Sequence, residues 1–385
     1  MQIRQLAWQA AAWERMAQPE HKFTLAVIAR LFRPWQDSGG IVLAVSGGPD
    51  STALMLMAAE WAAGLAAPPP LHCATVDHGL REGSREEAQL VSHWAAALSL
   101  PHTILHWEGR KPKSRIQELA REARYRLLFD HAARTGASCV MTAHHADDQA
   151  ETILFRLLRG SGIAGLSGMP IASKRGNLTL ARPLLAYSKA QLAAFCGARA
   201  HPFVTDPSNG DPAFARTRVR VLLGVLGQYG LDRAALLRLG RRLERAEAAL
   251  AGRARAVREQ LNARCEPGRF EADISALAGE ADEIVLRILD RELQLAGSSK
   301  PPRLERLEAL TERLLQAARA GADCKTTIGG ALVQLKSGQT LTIVKEGARR
   351  RGRGIALAAS GEKVRRGPQR AARMEVSLGK GENQA

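Results

Sequence analysis

The stretch that decides the fold is Val45-Ser46-Gly47-Gly48-Pro49-Asp50-Ser51, which joins an apolar run at 41–45 to an Ala-, Leu- and Met-rich segment at 51–64. A buried strand, a glycine-rich turn and a helix in this order place free backbone N–H groups at a helix N-terminus, where anions bind. Pro49 suits the first helical turn, and Ser46 and Ser51 add hydroxyl donors. We therefore predict a phosphate-binding loop, with a plain turn capped by Asp50 as the alternative.

The same loop lacks the lysine of a Walker A motif and carries an acidic residue, Asp50, where a phosphate would lie. A carboxylate beside a phosphate is repelled unless a divalent cation lies between them. The loop therefore predicts Mg²⁺ together with a nucleotide.

The chain around this loop alternates apolar runs with helical segments. Strands are predicted at 41–45, 71–76, 102–105 and 138–142, and helices at 51–64, 85–98, 116–135 and 147–158. This alternation predicts an α/β fold with right-handed βαβ units, namely a Rossmann-like parallel sheet with helices on both faces. Ligands of such sheets bind beyond the carboxyl ends of the strands, so the polar residues there are the site candidates.

The whole chain divides into five predicted zones. They are an N-terminal helical segment at 1–38, the α/β domain at 39–212, a helical domain at 213–321, a short β region at 322–346 and a basic tail at 347–385. In the helical zone, Leu236, Leu239, Leu243 and Leu250 form one stripe that is surrounded by arginines. β-like runs lie at 326–334 and 340–345, and the tail has too few apolar residues to fold alone.

Composition narrows the function class. The 385 residues include 55 Lys plus Arg and 38 Asp plus Glu, so the net charge is +17, which predicts a polyanionic partner. Apolar runs are too short to span a bilayer, and the first residues do not resemble a signal peptide. The five cysteines are widely spaced and form no CxxC motif. We expect a cytoplasmic protein without a membrane partner.

Polar residues follow the predicted strands in clusters. Asp77 and His78 follow the second strand, and His144, His145, Asp147 and Asp148 follow the fourth. The two aspartates either bind a metal, act on a proton or cap a helix. The two histidines lack a third ligand at a recognised spacing, which argues against zinc. Arg124 and Arg159 either bind polyphosphate or RNA or are merely solvated.

A longer series of motifs resembles a known family. SGGPDS at 46–51 is similar to the SGGxDS loop of the N-type ATP pyrophosphatases, also called PP-loop proteins. It is followed, in order, by DHGLR at 77–81, EARYR at 122–126, HHADDQAET at 144–152, RGSG at 159–162, RPLL at 182–185, DPSN at 206–209 and FARTRVR at 214–220. Together they resemble the tRNA(Ile)-lysidine synthetase family over about 40–220, with one departure at Thr217, where that family often has Asn.

The resemblance implies an adenine nucleotide alpha hydrolase-like fold and an ATP-dependent ligase. The wobble cytidine of the CAU-anticodon isoleucine tRNA would be adenylated at C2, and free L-lysine would then displace AMP to form lysidine. The implied catalytic residues are Asp50, Asp147, Asp148, His144 and Arg124, with Asp50 and Asp147 as Mg²⁺ ligands. The implied ATP-binding residues are Ser46, Gly47, Gly48, Pro49, Asp50, Ser51, Asp77 and His78. The implied tRNA-binding residues are Arg159, Arg216, Arg218 and Arg220.

Two other functions stay open at this point. A tRNA cytidine thiolase of the same fold would also adenylate C2. That chemistry usually needs a pair of cysteines, and the nearest such pair here, Cys73 and Cys139, shows no CxxC, which argues against it. A non-catalytic RNA-binding protein with a degenerate ATP site is the second, and the intact loop argues against it. An amidotransferase is disfavoured, because there is no room for a glutaminase domain before residue 40. The lysine-binding residues and the oligomeric state, a homodimer included, remain open.

Overall fold

The computed structural model describes residues 23–80, 83–109, 116–204, 215–297 and 302–346. Three sequence predictions lie outside these residues: most of the N-terminal segment, the DPSN motif at 206–209 and the basic tail at 347–385.

The α/β part is built on a six-stranded sheet with the order β3-β2-β1-β4-β6-β5. Its strands are β1 (Ile41–Ala44), β2 (Leu71–Asp77), β3 (His102–His106), β4 (Cys139–Met141), β5 (Ala172–Arg175) and β6 (Leu178–Ala181). All neighbouring strands pair in parallel except β5 and β6, which form an antiparallel edge hairpin. The predicted fold class is confirmed, and the hairpin is an addition that the sequence did not predict.

Helices cover both faces of this sheet. They are α1 (Leu25–Phe32), α2 (Pro49–Ala63), α3 (Ser84–Ala97), α4 (Ile116–Arg134), α5 (Ala146–Leu157), α6 (Ile163–Leu166) and α7 (Lys189–Ala198). Strand β1 shows why both faces are buried. Ile41 and Leu43 pack into a core with α1, α2 and α7, whereas Val42 and Ala44 pack on the opposite face against α4. Because successive side chains of a strand point to opposite faces, every residue of this continuous apolar run is buried under one of the two helix layers.

Two further helices, α8 (Ala215–Gly227) and α9 (Arg233–Gln260), follow the α/β part. Leu236 of α9 shares a small core with Ile153 and Leu154 of α5 and Val219 of α8. Gly240 lets α9 approach α5 closely, because a Cβ there would lie 2.7 Å from Ile153 Cδ1. The first turns of α9 are thus packed directly on the helix that follows β4.

The rest of the chain forms a second core around a five-stranded antiparallel sheet in the order β7-β8-β11-β10-β9. Its elements are β7 (Arg264–Glu266), β8 (Arg269–Asp273), α10 (Asp282–Leu295), α11 (Leu304–Arg319), β9 (Cys324–Ile328), β10 (Ala331–Lys336) and β11 (Thr340–Lys345).

This region differs from the sequence prediction in two places. The zone predicted as helical contains the β7–β8 hairpin, because Phe270 and Ala272 alternate into the core and Gly268 takes φ +77° at the turn. The single β-like run at 326–334 is two strands, β9 and β10, since Gly329 and Gly330 both take positive φ between them. Among the described residues, no helix is long and apolar enough to cross a membrane.

Candidate active site

The loop between β1 and α2 is held closed by its own hydrogen bonds. Gly47 takes φ +86°, a conformation that favours glycine, and its carbonyl accepts the Val204 N–H at 2.9 Å. Ser51 Oγ accepts the Ser46 N–H at 3.1 Å and donates to the Gly48 carbonyl, also at 3.1 Å. Gly48 is the residue before α2, so the unpaired N–H groups of the first helical turn point out of a fixed loop. The geometry is that of a preformed anion site.

Asp50 lies in the first turn of α2, and one of its two carboxylate oxygens makes no hydrogen bond among the described residues. Its Oδ2 lies 3.5 Å from His145 Nε2, and its side chain is 23% exposed. Its Oδ1 is buried and has no hydrogen-bond partner among the residues that the structure describes. A buried carboxylate oxygen without a partner is costly, and a cation bound there would remove that cost. The donor therefore fits Mg²⁺, which commonly takes one or two protein carboxylates and completes its shell with phosphates and water.

The turn after β4 brings His145 beside three carboxylates. His145 caps α5: its Nδ1 accepts the Asp148 N–H at 3.3 Å, and Asp148 Oδ2 accepts the His145 N–H at 3.2 Å. Burial alone would lower the pKa of His145, but its hydrogen bond to Asp50 and the charges of Asp148, Asp50 and Asp147 together raise it. Neighbouring His144 is buried and its Nδ1 lies 2.8 Å from Thr142 Oγ1. The capping interpretation of Asp148 thus holds in the structure.

Asp147 has a different environment from Asp148. Its Oδ2 accepts the Lys189 N–H at 2.8 Å, at the start of α7, and its Oδ1 accepts from Arg233 Nη1 at 2.6 Å, at the start of α9. Burial would raise the pKa of Asp147, but these two bonds and the nearby positive charges hold it below its ordinary value. Asp147 therefore joins the N-terminal ends of α5, α7 and α9 with both of its oxygens.

The loop, the ends of β2 and β4 and part of α8 surround a cleft of ≈ 680 Å³. Ten residues predicted for the site line it: Ser46, Gly48, Pro49, Asp50, Ser51, His78, Arg124, His144, Asp148 and Arg220. Its volume lies within the range of small-molecule sites. The carboxyl ends of the parallel strands thus collect the residues that the sequence pattern pointed to.

Other predicted residues lie outside the lining of the cleft. Asp77 organises the loop that carries His78, because its Oδ1 accepts from Gly79 N at 2.9 Å and Ser84 Oγ at 2.8 Å. Burial would raise the pKa of Asp77, whereas these bonds and His106 lower it overall. Arg159 is exposed and stacks over the Phe155 ring at 4.7 Å.

The predicted tRNA-binding arginines of α8 occupy different positions. Arg218 is exposed, and the side chain of Arg216 lies outside the described part of the chain. Arg220 lines the cleft and donates from Nε to Glu151 Oε1 at 2.7 Å, where the Glu151 side chain is 5% exposed. This bond to Glu151 is the main cause that raises the pKa of Arg220. Arg220 is thus a cleft residue tied to α5.

Sequence reasoning missed several lining residues. They include Thr142, Ser84, Glu87, Arg121, Lys189, Phe203 and Val204. Arg121 lies one helical turn before Arg124, so that spacing was a usable signal. Phe203 and Val204 come from a distant segment and carry no local signal.

The cysteines do not form a reactive pair. Cys73 lies on β2 and Cys139 on β4, the two strands that flank β1. Cys73 pairs with Leu43 and Cys139 with Ile41, so the two cysteine strands are two strand spacings apart, each of about 4.8 Å. Burial raises the pKa of each thiol to about 12, and that of Cys196 to about 11.

Among the described residues, no group of three or more His, Cys, Asp and Glu side chains could hold a metal ion by itself.

Comparison with known proteins agrees with this architecture. The model of the PP-loop domain family matches residues 20–225. A tRNA(Ile)-lysidine synthase from Methylobacterium sp. (strain 4-46) is 49% identical over 333 residues, which cover 84% of this chain and 95% of that protein. The tRNA(Ile)-lysidine synthase of Rhodopseudomonas palustris (strain ATCC BAA-98 / CGA009) is 46% identical over 344 residues, covering 87% of this chain and 99% of that protein.

Proposed function

The chain belongs to the tRNA(Ile)-lysidine synthase family of PP-loop proteins, and on that premise we propose how its cleft carries out ATP-dependent lysidine formation in tRNA(Ile). The enzyme is a ligase that forms a carbon–nitrogen bond. The observation that carries the residue assignment is the closed SGGPDS loop with an unpartnered Asp50 oxygen beside it.

The loop binds the polyphosphate of ATP. Backbone N–H groups at the start of α2 and the hydroxyls of Ser46 and Ser51 supply donors, and Arg124, which also lines the cleft, supplies a positive charge. His78 lines the cleft at the end of β2 and contacts the nucleoside end. Asp77 acts through its hydrogen bonds to that loop.

We assign Asp50 as the main protein ligand of Mg²⁺, which when bound would neutralise charge on the phosphates. The sequence also predicted Asp147 as a ligand. Both Asp147 oxygens already bond to Lys189 and Arg233, so we give Asp147 a positioning role and propose Asp148, which lines the cleft, as the second carboxylate.

The chemistry proceeds in two displacements. The C2 oxygen of the wobble cytidine attacks the α-phosphorus of ATP, and the bond to pyrophosphate breaks. The α-phosphate oxygens gain charge in that step, which Arg124 and the loop donors stabilise. The amine of lysine then adds at C2, and AMP leaves with the former C2 oxygen. His144, held by Thr142, takes the proton that lysine must lose before it attacks.

Substrate binding calls for both signs of charge. The ammonium group of lysine that does not attack needs a carboxylate, and Glu87 lines the cleft. tRNA phosphates need cations, which Arg220 supplies at the cleft and Arg159 and Arg218 supply beyond it, while Arg216 is proposed from the sequence motif alone.

The proposal is tested by measuring pyrophosphate release with CAU-anticodon isoleucine tRNA, with and without lysine. We expect release to require this tRNA, and continued turnover with AMP formation to require lysine. Continued turnover that requires a sulfur donor in place of lysine would support the thiolase instead. Binding of tRNA without any pyrophosphate would support the non-catalytic RNA-binding protein.

The five cysteines give a separate prediction about the thiolase. Each single Cys→Ser variant should keep its turnover with lysine, because the buried thiols stay protonated and Cys73 and Cys139 are two strands apart. Stability should fall by roughly 1–2 kcal/mol at buried Cys73 and Cys139, where a hydroxyl replaces an apolar thiol. The exposed Cys265 provides the matched control. A folded variant that loses turnover would contradict the assignment.

Asp147 and Asp148 give a paired prediction. Asp147→Ala should lower stability by about 1–3 kcal/mol, because it removes the Lys189 cap and leaves Arg233 unpaired. It should also raise the KM for tRNA more than it lowers kcat. Asp148→Asn, which keeps a hydrogen-bond acceptor for the α5 cap, should instead lower kcat with a small change in stability. Thermal unfolding and steady-state kinetics on the same samples measure both, and interchanged results would restore Asp147 as the metal ligand.

A further inference from the structure

The exposed face of α9 is basic over the first half of the helix. Arg238, Arg242 and Arg245 are all exposed, and in the described part of the chain none of them forms an ion pair. They lie at i, i+4 and i+7, so they share one face of the helix. Farther along, the same face continues through Ala249, Gly252 and Ala256.

Of the three glutamates of α9, only Glu259 is exposed on this side of the helix, and it lies near the C-terminal end, 14 residues beyond Arg245. Glu247 bonds to Arg287 of α10, and Glu244 lies on the side between the exposed and packed faces. By contrast, two arginines farther along α9 are neutralised. Arg253, three turns after Arg242 on the same side of the helix, pairs with Glu280, and Arg258 pairs with Glu292. Arg238 and Arg242 thus have no ion-pair partner in the described part of the chain, and Arg245 has only an electrostatic interaction with the neighbouring Glu244.

The row of exposed arginines begins near the cleft. Arg233, which is hydrogen-bonded to Asp147, precedes Arg238 by five residues, a rise of roughly 7–8 Å along the helix. From position 238 to 256 the face extends roughly 27 Å, and a nucleic-acid strand advances about 3.4 Å per phosphate. A tRNA whose wobble base enters the cleft is large enough to pass along α9.

We propose that Arg238, Arg242 and Arg245 form a binding surface for the phosphate backbone of the tRNA substrate. This inference rests on the proposed function for the identity of the RNA. Charge complementarity is its physical basis: three solvated cations on a rigid helix release counterions when they meet phosphates. The small residues that follow would let the backbone of the RNA approach the helix. Phosphate contacts of this kind strengthen and position binding, and they do not select the anticodon.

The test is filter binding of CAU-anticodon isoleucine tRNA over a salt series. The variant carries Arg238→Gln, Arg242→Gln and Arg245→Gln together. The matched control carries Arg306→Gln, Arg313→Gln and Arg319→Gln, which removes the same charge from exposed positions of α11. We expect the α9 variant to bind roughly tenfold or more weakly at low salt, with a salt slope shallower by about two to three. The control should keep the wild-type slope.

Equal slopes for the two variants would overturn the proposal. So would a normal tRNA slope combined with lost binding to phosphatidylserine vesicles, since the face would then bind anionic lipid. Pyrophosphate release by the wild-type enzyme is read separately. If the wild type released none, the proposed function would fail, while the difference in slopes would still decide whether this face binds RNA.

Discussion

Asp50→Asn should lower the rate of pyrophosphate release by at least about a thousandfold at saturating ATP and tRNA, the size expected when a metal-binding carboxylate is lost from a phosphoryl-transfer site. Asparagine keeps the shape and the contact with His145 but removes the charge that would hold Mg²⁺. The Asp50 Oδ1 has no partner among the described residues, so folding should lose little, and the melting temperature should stay near that of the wild type.

A control and a titration make this result specific. Asp282→Asn removes a carboxylate from the first turn of α10, outside the cleft, and should leave the rate unchanged. Raising Mg²⁺ should rescue Asp50→Glu more than Asp50→Asn, because glutamate retains a charged oxygen ligand. A wild-type rate for Asp50→Asn in Mg²⁺ would remove Asp50 from the metal site and make its unpartnered oxygen an unexplained feature of the loop.

Local pattern was enough to predict the elements that are buried on both sides. The run at 41–45 and the loop after it appear in the structure at nearly the same positions, because a continuous apolar run can be satisfied only between two helix layers. Edge elements escaped the same reasoning. β5 has the sequence Ala-Ser-Lys-Arg and buries no residue, so it carries no hydrophobic period to detect.

The sequence predicted which residues lie at the candidate site better than it predicted their hydrogen-bond partners. Asp147 and Asp148 are adjacent and chemically identical, and each was predicted to serve as a cap or as a metal ligand. What separates them is Arg233, which lies 86 residues farther along the chain, and Lys189, 42 residues away. Such long-range partners depend on how α7 and α9 pack on α5, which no local spacing encodes.

Alanine substitutions at the two glycines of the loop give the second large expected effect. Gly47 is required by the backbone conformation and packing of the free protein, whereas Gly48 leaves space for a phosphate. Gly47→Ala should destabilise the protein by about 1–2 kcal/mol, since φ is +86° there and a Cβ would lie 3.2 Å from Val91 Cγ2 and 3.3 Å from Val204 Cγ2. Gly48 has φ −68°, and the nearest atom to an added Cβ is Ser46 Oγ at 4.0 Å. Gly48→Ala should therefore leave the stability of the free enzyme within about 0.5 kcal/mol of the wild type.

ATP binding should reverse this ranking. If phosphates lie against the N–H groups at the start of α2, a methyl group at Gly48 occupies the space that the phosphate needs, and ATP affinity should fall by roughly a hundredfold or more. Gly47→Ala, once folded, should bind ATP less weakly than Gly48→Ala, because its methyl group points toward Val91 and Val204. Thermal unfolding without ligand and calorimetric titration with ATP and Mg²⁺ separate the two effects. Wild-type affinity in Gly48→Ala would mean that the phosphates bind elsewhere in the cleft, since nothing in the protein itself requires glycine at that position.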